Sequence, residues 1–125
     1  MSEPAPFLRR MIERLEAAGI PYMVTGSLAS SAFGEPRTSF DADIVISPTP
    51  DQLRAFVGSI EDDLYVDLPA AEEALRRRGM FNVLDPRGGM KADLIILKDR
   101  PFHVQAFERR RRGQVQGVDL VLISP

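Results

Sequence analysis

Residues 24–47, VTGSLASSAFGEPRTSFDADIVIS, predict the centre of the fold. An apolar run that reads as a strand ends just before Gly26 and Ser27. Residues 28–33 predict a short helix. The run Phe40–Ile46, FDADIVI, is rich in β-branched residues and alternates in polarity, which predicts a second strand. The stretch is therefore predicted to fold as strand, helix and strand.

Three aspartates in predicted strands are the candidate cation ligands. Asp41 and Asp43 are two residues apart on one strand, so both side chains leave the same face. Two carboxylates on one face repel each other unless a cation lies between them. Asp93 lies in a later predicted strand over 91–97. The alternative is a solvent-facing polar side of an edge strand, although aspartate is depleted in strands.

The composition limits the classes of protein to be considered. The 125 residues predict one domain, 1–125, with one core. A net charge of −2 gives no bulk attraction to nucleic acid. The absence of Cys excludes disulfides and thiolate metal sites and is consistent with a reducing cytosol. No apolar run approaches the ~20 residues that span a bilayer, so we expect a cytoplasmic protein without a membrane partner.

The other segments predict an α/β protein (or α+β) with a mixed β-sheet and helices packed against it. Residues 1–6 are predicted to be a flexible lead-in, and the turn signal over 85–89 predicts antiparallel pairing of the strands on either side. Residues 100–112 predict a short turn and a basic, partly helical stretch. The remaining predictions are helices over 7–18, 50–60 and 68–78, strands over 20–24 and 80–84, and a strand pair around Gly117.

The ordered combination of these motifs resembles the nucleotidyltransferase superfamily that includes DNA polymerase beta. The matching features are Gly26-Ser27 after a strand, a short helix, Asp41-x-Asp43 in an apolar strand and Asp93 in a further one. More narrowly, the chain is similar to minimal bacterial nucleotidyltransferases and to the toxin-type enzymes of abortive-infection systems. The resemblance covers roughly 20–124 and implies a nucleotidyltransferase-like fold. Such proteins usually continue into further helices, so we expect a minimal domain or a chain truncated at its C-terminus.

The resemblance implies a metal-dependent transfer of a nucleoside monophosphate from an NTP such as ATP to an acceptor hydroxyl, with release of pyrophosphate. The acceptor is left open between RNA (including tRNA), a protein and a small molecule. The implied cofactor is Mg²⁺, with Mn²⁺ as the alternative. Asp41 and Asp43 would bind both metal ions, and Asp93 would bind the catalytic metal and draw the proton from the acceptor hydroxyl.

Four further residues are predicted to bind the nucleotide. Gly26 would allow close approach of the backbone to phosphate, and Ser27 would offer a hydroxyl at a helix N-terminus. Arg37 and Lys91 would contact phosphate. Each has a structural alternative: a tight turn for Gly26, a helix N-cap for Ser27, a solvated loop for Arg37, and pairing with Asp93 for Lys91.

Two remaining features favour structural interpretations. The basic run 109–112 is interpreted as a solvated helix face, with RNA or phosphate contact as the alternative. His103, the only histidine, is interpreted as structural rather than catalytic. For the whole chain, the alternative function is a catalytically silent nucleotidyltransferase-fold module, or a toxin–antitoxin or scaffolding partner of a helical protein.

Overall fold

The computed structural model describes residues 4–25, 40–115 and 117–123. These residues form four helices and a six-stranded sheet, which confirms the predicted mixed α/β class. The helices are α1 Pro4–Ala17, α2 Pro50–Ile60, α3 Leu68–Arg77 and α4 Pro101–Glu108. The strands are β1 Tyr22–Val24, β2 Phe40–Ile46, β3 Met80–Asp85, β4 Met90–Ile96, β5 Arg111–Val115 and β6 Val118–Leu122.

The strands are ordered β3-β4-β2-β1-β6-β5 across the sheet. β2 pairs with β4, and β1 with β6, in parallel, whereas the other neighbours are antiparallel. The β2–β4 register is continuous from Phe40 opposite Met90 to Ile46 opposite Ile96. β2 lies between β4 and β1, and β1 pairs with residues 44–46, so β2 is not an edge strand among the strands that the structure describes.

Helices α1, α2 and α3 pack on one face of the sheet. α1 contacts α2 and β6, α2 contacts α3, and α3 contacts β3 and β4. The apolar positions of α1 recur at spacings of three and four, and all are buried: Leu8, Met11, Ile12 and Leu15. Together with alternate strand residues they form one apolar cluster. Among the described residues, no charged side chain is buried in this core, and the polar group that the core includes is the Tyr22 hydroxyl.

The ends of two helices show how local sequence sets the boundaries. α2 begins with a capping box, in which the Gln52 amide donates to Thr49 Oγ1 (3.2 Å) and the Thr49 amide donates to Gln52 Oε1 (2.9 Å). α3 ends at Arg77, and its C-cap residue Arg78 adopts the left-handed conformation (φ 53°), one residue before the glycine predicted to end the helix. Arg78 Nη1 donates to the Leu97 carbonyl at 2.9 Å, a contact that favours this otherwise unusual backbone.

Most predicted elements occur where the sequence placed them. β2 and α2 have the predicted bounds, and β3 and β4 pair antiparallel across the predicted turn. β5 and β6 form the predicted strand pair around Gly117, whose φ is 76°. α1 begins at Pro4, within the predicted lead-in, because proline is tolerated in the first turn of a helix. The helix predicted over 28–33 lies outside the described residues.

The basic run 109–112 is not a helix face, so that prediction is wrong. α4 ends at Glu108, and Arg111 and Arg112 are the first residues of β5. They pair with Leu122 and Val121 of β6. The helical pattern ends here because the β5–β6 hairpin around Gly117 extends back to Arg111, so that Arg111 and Arg112 pair with β6.

Candidate functional site

The face of the sheet opposite α1, α2 and α3 displays the candidate chemical groups. Along β4, residues alternate between buried and partly exposed, and the partly exposed ones include Lys91, Asp93 and Ile95. β2 alternates in the same way, with Asp43 and Val45 on the partly exposed side. Each strand therefore gives one set of side chains to the core and the other to the opposite face, here called the open face.

Asp43 and Asp93 lie side by side on the open face. They are register partners on the neighbouring parallel strands β2 and β4. Paired strands are about 4.8 Å apart, so the two carboxylates start from adjacent positions at the same level. The Asp93 side chain is only 18% exposed. Two carboxylates that start from adjacent positions repel each other unless a cation lies near them, which makes this pair a candidate cation site.

Two neighbouring side chains contact Asp93 at the same carboxylate oxygen, Oδ1. Asn82 Nδ2 donates to Asp93 Oδ1 at 2.5 Å, and Lys91 Nζ lies 3.7 Å from that oxygen. Asn82 is the register partner of Asp93 on β3. Both contacts orient the carboxylate, and neither involves Oδ2. The pairing of Lys91 with Asp93, which the sequence raised as an alternative to phosphate binding, is therefore present.

Asn82 is a site residue that the sequence analysis missed. Its signal was the turn over 85–89, because extending the antiparallel register of that hairpin places residue 82 opposite residue 93. The strand prediction identified the hairpin but did not carry the register as far as Asp93. An asparagine between two apolar residues of β3 is otherwise an ordinary exposed strand residue.

The end of β1 lies next to Asp43. The Thr25 amide donates to the Asp43 carbonyl at 3.0 Å, and Thr25 Oγ1 donates to the same carbonyl at 3.3 Å. These bonds hold the residue that follows β1 against β2 at the level of Asp43. The predicted nucleotide-binding residues Gly26, Ser27 and Arg37 lie outside the described residues.

The structure describes the predicted metal ligands in part. Asp41 is in β2, two residues before Asp43 and in register with Lys91, and its side chain lies outside the described part of the structure. Within the described ranges, no three acidic, histidine or cysteine side chains form a group that could bind a metal ion. The donors that are described, Asp43 and Asp93, are carboxylates at one level of adjacent strands, and this chemistry fits Mg²⁺ or Mn²⁺.

The arginines of the basic run lie at or next to β5, which is at the opposite end of the strand order from β3 and β4. The guanidinium of Arg110 stacks over the Phe107 ring at 4.2 Å and donates to the Phe107 carbonyl at 2.8 Å. Arg112 lies 3.8 Å from Glu16. Both line a cleft of about 470 Å³ that also includes Tyr22. These two arginines are thus engaged by the protein itself, and their contact with RNA or phosphate stays a prediction.

Tyr22 is a buried titratable group beside this cleft. Its hydroxyl donates to Glu16 Oε2 at 2.9 Å. Burial, followed by the hydrogen bond to Glu16, raises the pKa of the Tyr22 phenol well above its usual range. The phenol is therefore neutral at physiological pH and serves as a hydrogen-bond donor.

His103 lies on α4 and is exposed. Its ring meets that of Phe102 edge to face, with centroids 5.7 Å apart. Phe102 is itself 74% exposed. The described contacts of His103 are confined to its own helix and give it no position in the core.

None of the helices that the structure describes is long and apolar enough to cross a lipid bilayer.

Comparison with models of known protein families gave no match. Comparison with curated proteins gave none either. Among solved structures, the chain is similar to JHP933 from Helicobacter pylori, with 12% sequence identity and a TM-score of 0.41. The similarity covers 96% of this chain and 50% of JHP933, so this chain spans about half the length of that protein. A likeness at this level has no bearing on function.

Proposed function

We propose that this chain is a metal-dependent nucleotidyltransferase that transfers a nucleoside monophosphate from an NTP to an acceptor hydroxyl. The observation that supports it most directly is the placement of Asp43 beside Asp93 on adjacent parallel strands of the open face. Asp41, two residues before Asp43, is the third acid that the resemblance to nucleotidyltransferases implies. Carboxylates in an interior strand are unusual for a purely structural sheet.

The reaction replaces the phosphoanhydride bond between the α- and β-phosphorus atoms of the NTP by a phosphoester bond to the acceptor. The acceptor oxygen attacks the α-phosphorus of the NTP, the bond from that phosphorus to the bridging oxygen breaks, and pyrophosphate leaves with the bond's electron pair. Divalent ions, when bound, neutralise the phosphate charge and align the in-line displacement. Asp41, Asp43 and Asp93 would hold these ions.

The chain's own residues supply the remaining steps. Asp93 accepts the proton of the acceptor hydroxyl. Asn82 and Lys91 orient it through Oδ1, which directs Oδ2 to the ligand. Lys91 is also the described cation closest to Asp93, and it stabilises negative charge on a phosphate bound there. Gly26, Ser27 and Arg37 contact the triphosphate in this proposal.

The second candidate is a module that binds nucleotide without transferring it. The observation that favours it is the engagement of Asp93 Oδ1 by Asn82 and Lys91, since these contacts satisfy part of the carboxylate without a metal ion. In this alternative the acids keep a nucleotide or a partner protein in place, and no pyrophosphate is released.

Calorimetric titration of each NTP, with and without Mg²⁺, tests the proposal. Wild-type protein is expected to bind at least one NTP in a Mg²⁺-dependent manner. Asp43→Asn should weaken this binding by about 10- to 100-fold, because a ligand of the metal ion is lost. Asp119→Asn is the matched control, since Asp119 is an exposed β6 aspartate that contacts Gln114 and is not part of the site. Urea unfolding of each variant confirms that it is folded.

The outcomes separate the two candidates. Mg²⁺-dependent binding that is lost in Asp43→Asn, together with pyrophosphate release in the presence of cell extract, supports the transferase. The same binding without pyrophosphate release indicates the silent module. Equal binding by wild type and Asp43→Asn would contradict a role for Asp43 in either one.

A further inference from the structure

A groove runs along β3, which is at the end of the sheet among the strands that the structure describes. Tyr65 bridges the outer edge of β3. The Tyr65 amide donates to the Leu84 carbonyl (2.8 Å), and the Leu84 amide donates back to the Tyr65 carbonyl (2.9 Å). The chain then leaves the edge to begin α3 at Leu68. The space between β3 and the segment from Tyr65 to the start of α3 is here called the edge groove, a cavity of about 270 Å³.

The edge groove concentrates the exposed apolar surface of the molecule. Three of its lining residues remain largely exposed: Tyr65 at 55%, Met80 at 50% and Leu84 at 38%. Among the described residues, the other large apolar side chain exposed to this degree is Phe102 on α4. An apolar cluster that stays in contact with water at the rim of a candidate site marks a surface for a ligand.

The edge groove is continuous with the candidate active site. Met80, Asn82 and Leu84 alternate along β3 and share the open face with Asp93. Asn82 lines the groove, and its Nδ2 donates to Asp93 Oδ1 at 2.5 Å. A molecule in the groove would thus contact Asn82, which is hydrogen-bonded to the carboxylate to which we assign the proton of the acceptor.

The charge of the lining restricts the occupant. The described residues that line the groove include no Lys or Arg, and Asp67 is their one carboxylate. Asp67 is the N-cap residue of α3, so its charge already complements the positive end of that helix. With Asp93 beyond Asn82, an anionic occupant would face two carboxylates, and Lys91, the described cation closest to Asp93, is already paired with that carboxylate. This argues against a phosphate-bearing acceptor.

From these features we propose that the edge groove binds the acceptor, and that the acceptor is a small uncharged hydroxyl compound with an aromatic or apolar body. The groove volume is close to the lower limit of ligand pockets, about 300 Å³, which suits a molecule built on a single ring. This inference rests on the proposed transferase function, because the acceptor role comes from the position of Asp93.

NMR of protein labelled with ¹³C at the methionine methyl groups tests the groove directly. The probe is 2-phenylethanol, and the comparison probe is phenyl phosphate. Met80 in the groove should report binding, whereas three buried methionines are internal references: Met11, Met23 and Met90. We expect a saturable shift of the Met80 signal with 2-phenylethanol and about fivefold weaker binding of phenyl phosphate, from repulsion by two nearby carboxylates.

Variants locate the binding. Tyr65→Ala should weaken 2-phenylethanol binding by at least about fivefold, because an aromatic contact is lost. Phe102→Ala, which removes an exposed aromatic ring outside the groove, should leave it unchanged. Unchanged binding in Tyr65→Ala, or equal binding of the two probes, would overturn the inference. So would a Met80 shift that depends on protein concentration without probe, since a second copy would then occupy the groove.

The groove and the proposed function fail in different ways. Binding of 2-phenylethanol should persist in Asp43→Asn, and Mg²⁺-dependent NTP binding should persist in Tyr65→Ala. Loss of groove binding with intact NTP binding overturns only the acceptor site. Intact groove binding with no Mg²⁺-dependent NTP binding overturns the transferase and, with it, the assignment of the groove's ligand as an acceptor.

Discussion

The two faces of β4 differ in burial and in polarity, although one strand forms both. Met90, Ala92, Leu94 and Ile96 are at most 5% exposed and belong to the core. Their immediate neighbours Lys91, Asp93 and Ile95 are partly exposed on the open face. The helices remove one face from water and leave the other accessible. One short strand can therefore contribute to stability and to a reactive site at the same time, because its side chains alternate.

The largest expected effect on the free energy of unfolding comes from substituting adjacent residues of β4 that lie on opposite faces. Leu94→Ala should lower the free energy of unfolding by about 2–5 kcal/mol, because it leaves a cavity in a fully buried position. Ile95→Ala, on the adjacent partly exposed position, should cost about 1 kcal/mol or less. Urea unfolding of both variants measures the difference. Similar losses would show that the open face is also covered in solution.

A second prediction uses Tyr22, which is buried on the helix-covered side and donates to Glu16. Tyr22→Phe should cost about 1.5 kcal/mol at pH 7, through loss of a hydrogen bond to a carboxylate. The raised pKa of Tyr22 means that the folded state keeps the proton when the unfolded state loses it. Its contribution to stability is thus complete below about pH 10, the ordinary value, and decreases as the pH rises further.

The pH dependence is best measured as a difference between proteins. The stability of wild type relative to Tyr22→Phe should fall by about 1.4 kcal/mol for each pH unit above 10. The comparison cancels the titration of Tyr65 and the lysines, which both proteins share. A difference that stays constant between pH 8 and pH 11 would contradict the raised pKa.

The smallest expected effect on stability is at Lys91, on the open face. Lys91→Met should change the free energy of unfolding by about 0.5 kcal/mol or less, because its ion pair with Asp93 is long (3.7 Å) and its side chain is 38% exposed. Under the proposed function the same variant should weaken Mg²⁺-dependent NTP binding by about tenfold, through loss of a charged contact to phosphate. A marked loss of stability with unchanged NTP affinity would favour the purely structural pairing.

The sequence predicted the elements whose signals are local. The bounds of Phe40–Ile46 and Pro50–Ile60 follow from alternation in the first and from a capping residue, a proline and helical spacing in the second. The turn over 85–89 predicted the β3–β4 hairpin. The basic run 109–112 was misassigned because the predicted strand pair around Gly117 extends back to Arg111, and Asn82 was missed because the register of the β3–β4 hairpin was not carried as far as Asp93, eleven residues away.

The sequence by itself determined which side chains face the same way: alternation placed Asp43 with Val45, and Asp93 with Lys91, whatever their neighbours. Only the tertiary structure decided that Asp43 lies opposite Asp93, because the register of parallel strands is set by the packing of the intervening helices and not by a local turn. The edge groove likewise depends on the tertiary structure. Tyr65, Met80 and Leu84 are ordinary apolar residues in the sequence, and they stay exposed because β3 is at the end of the sheet.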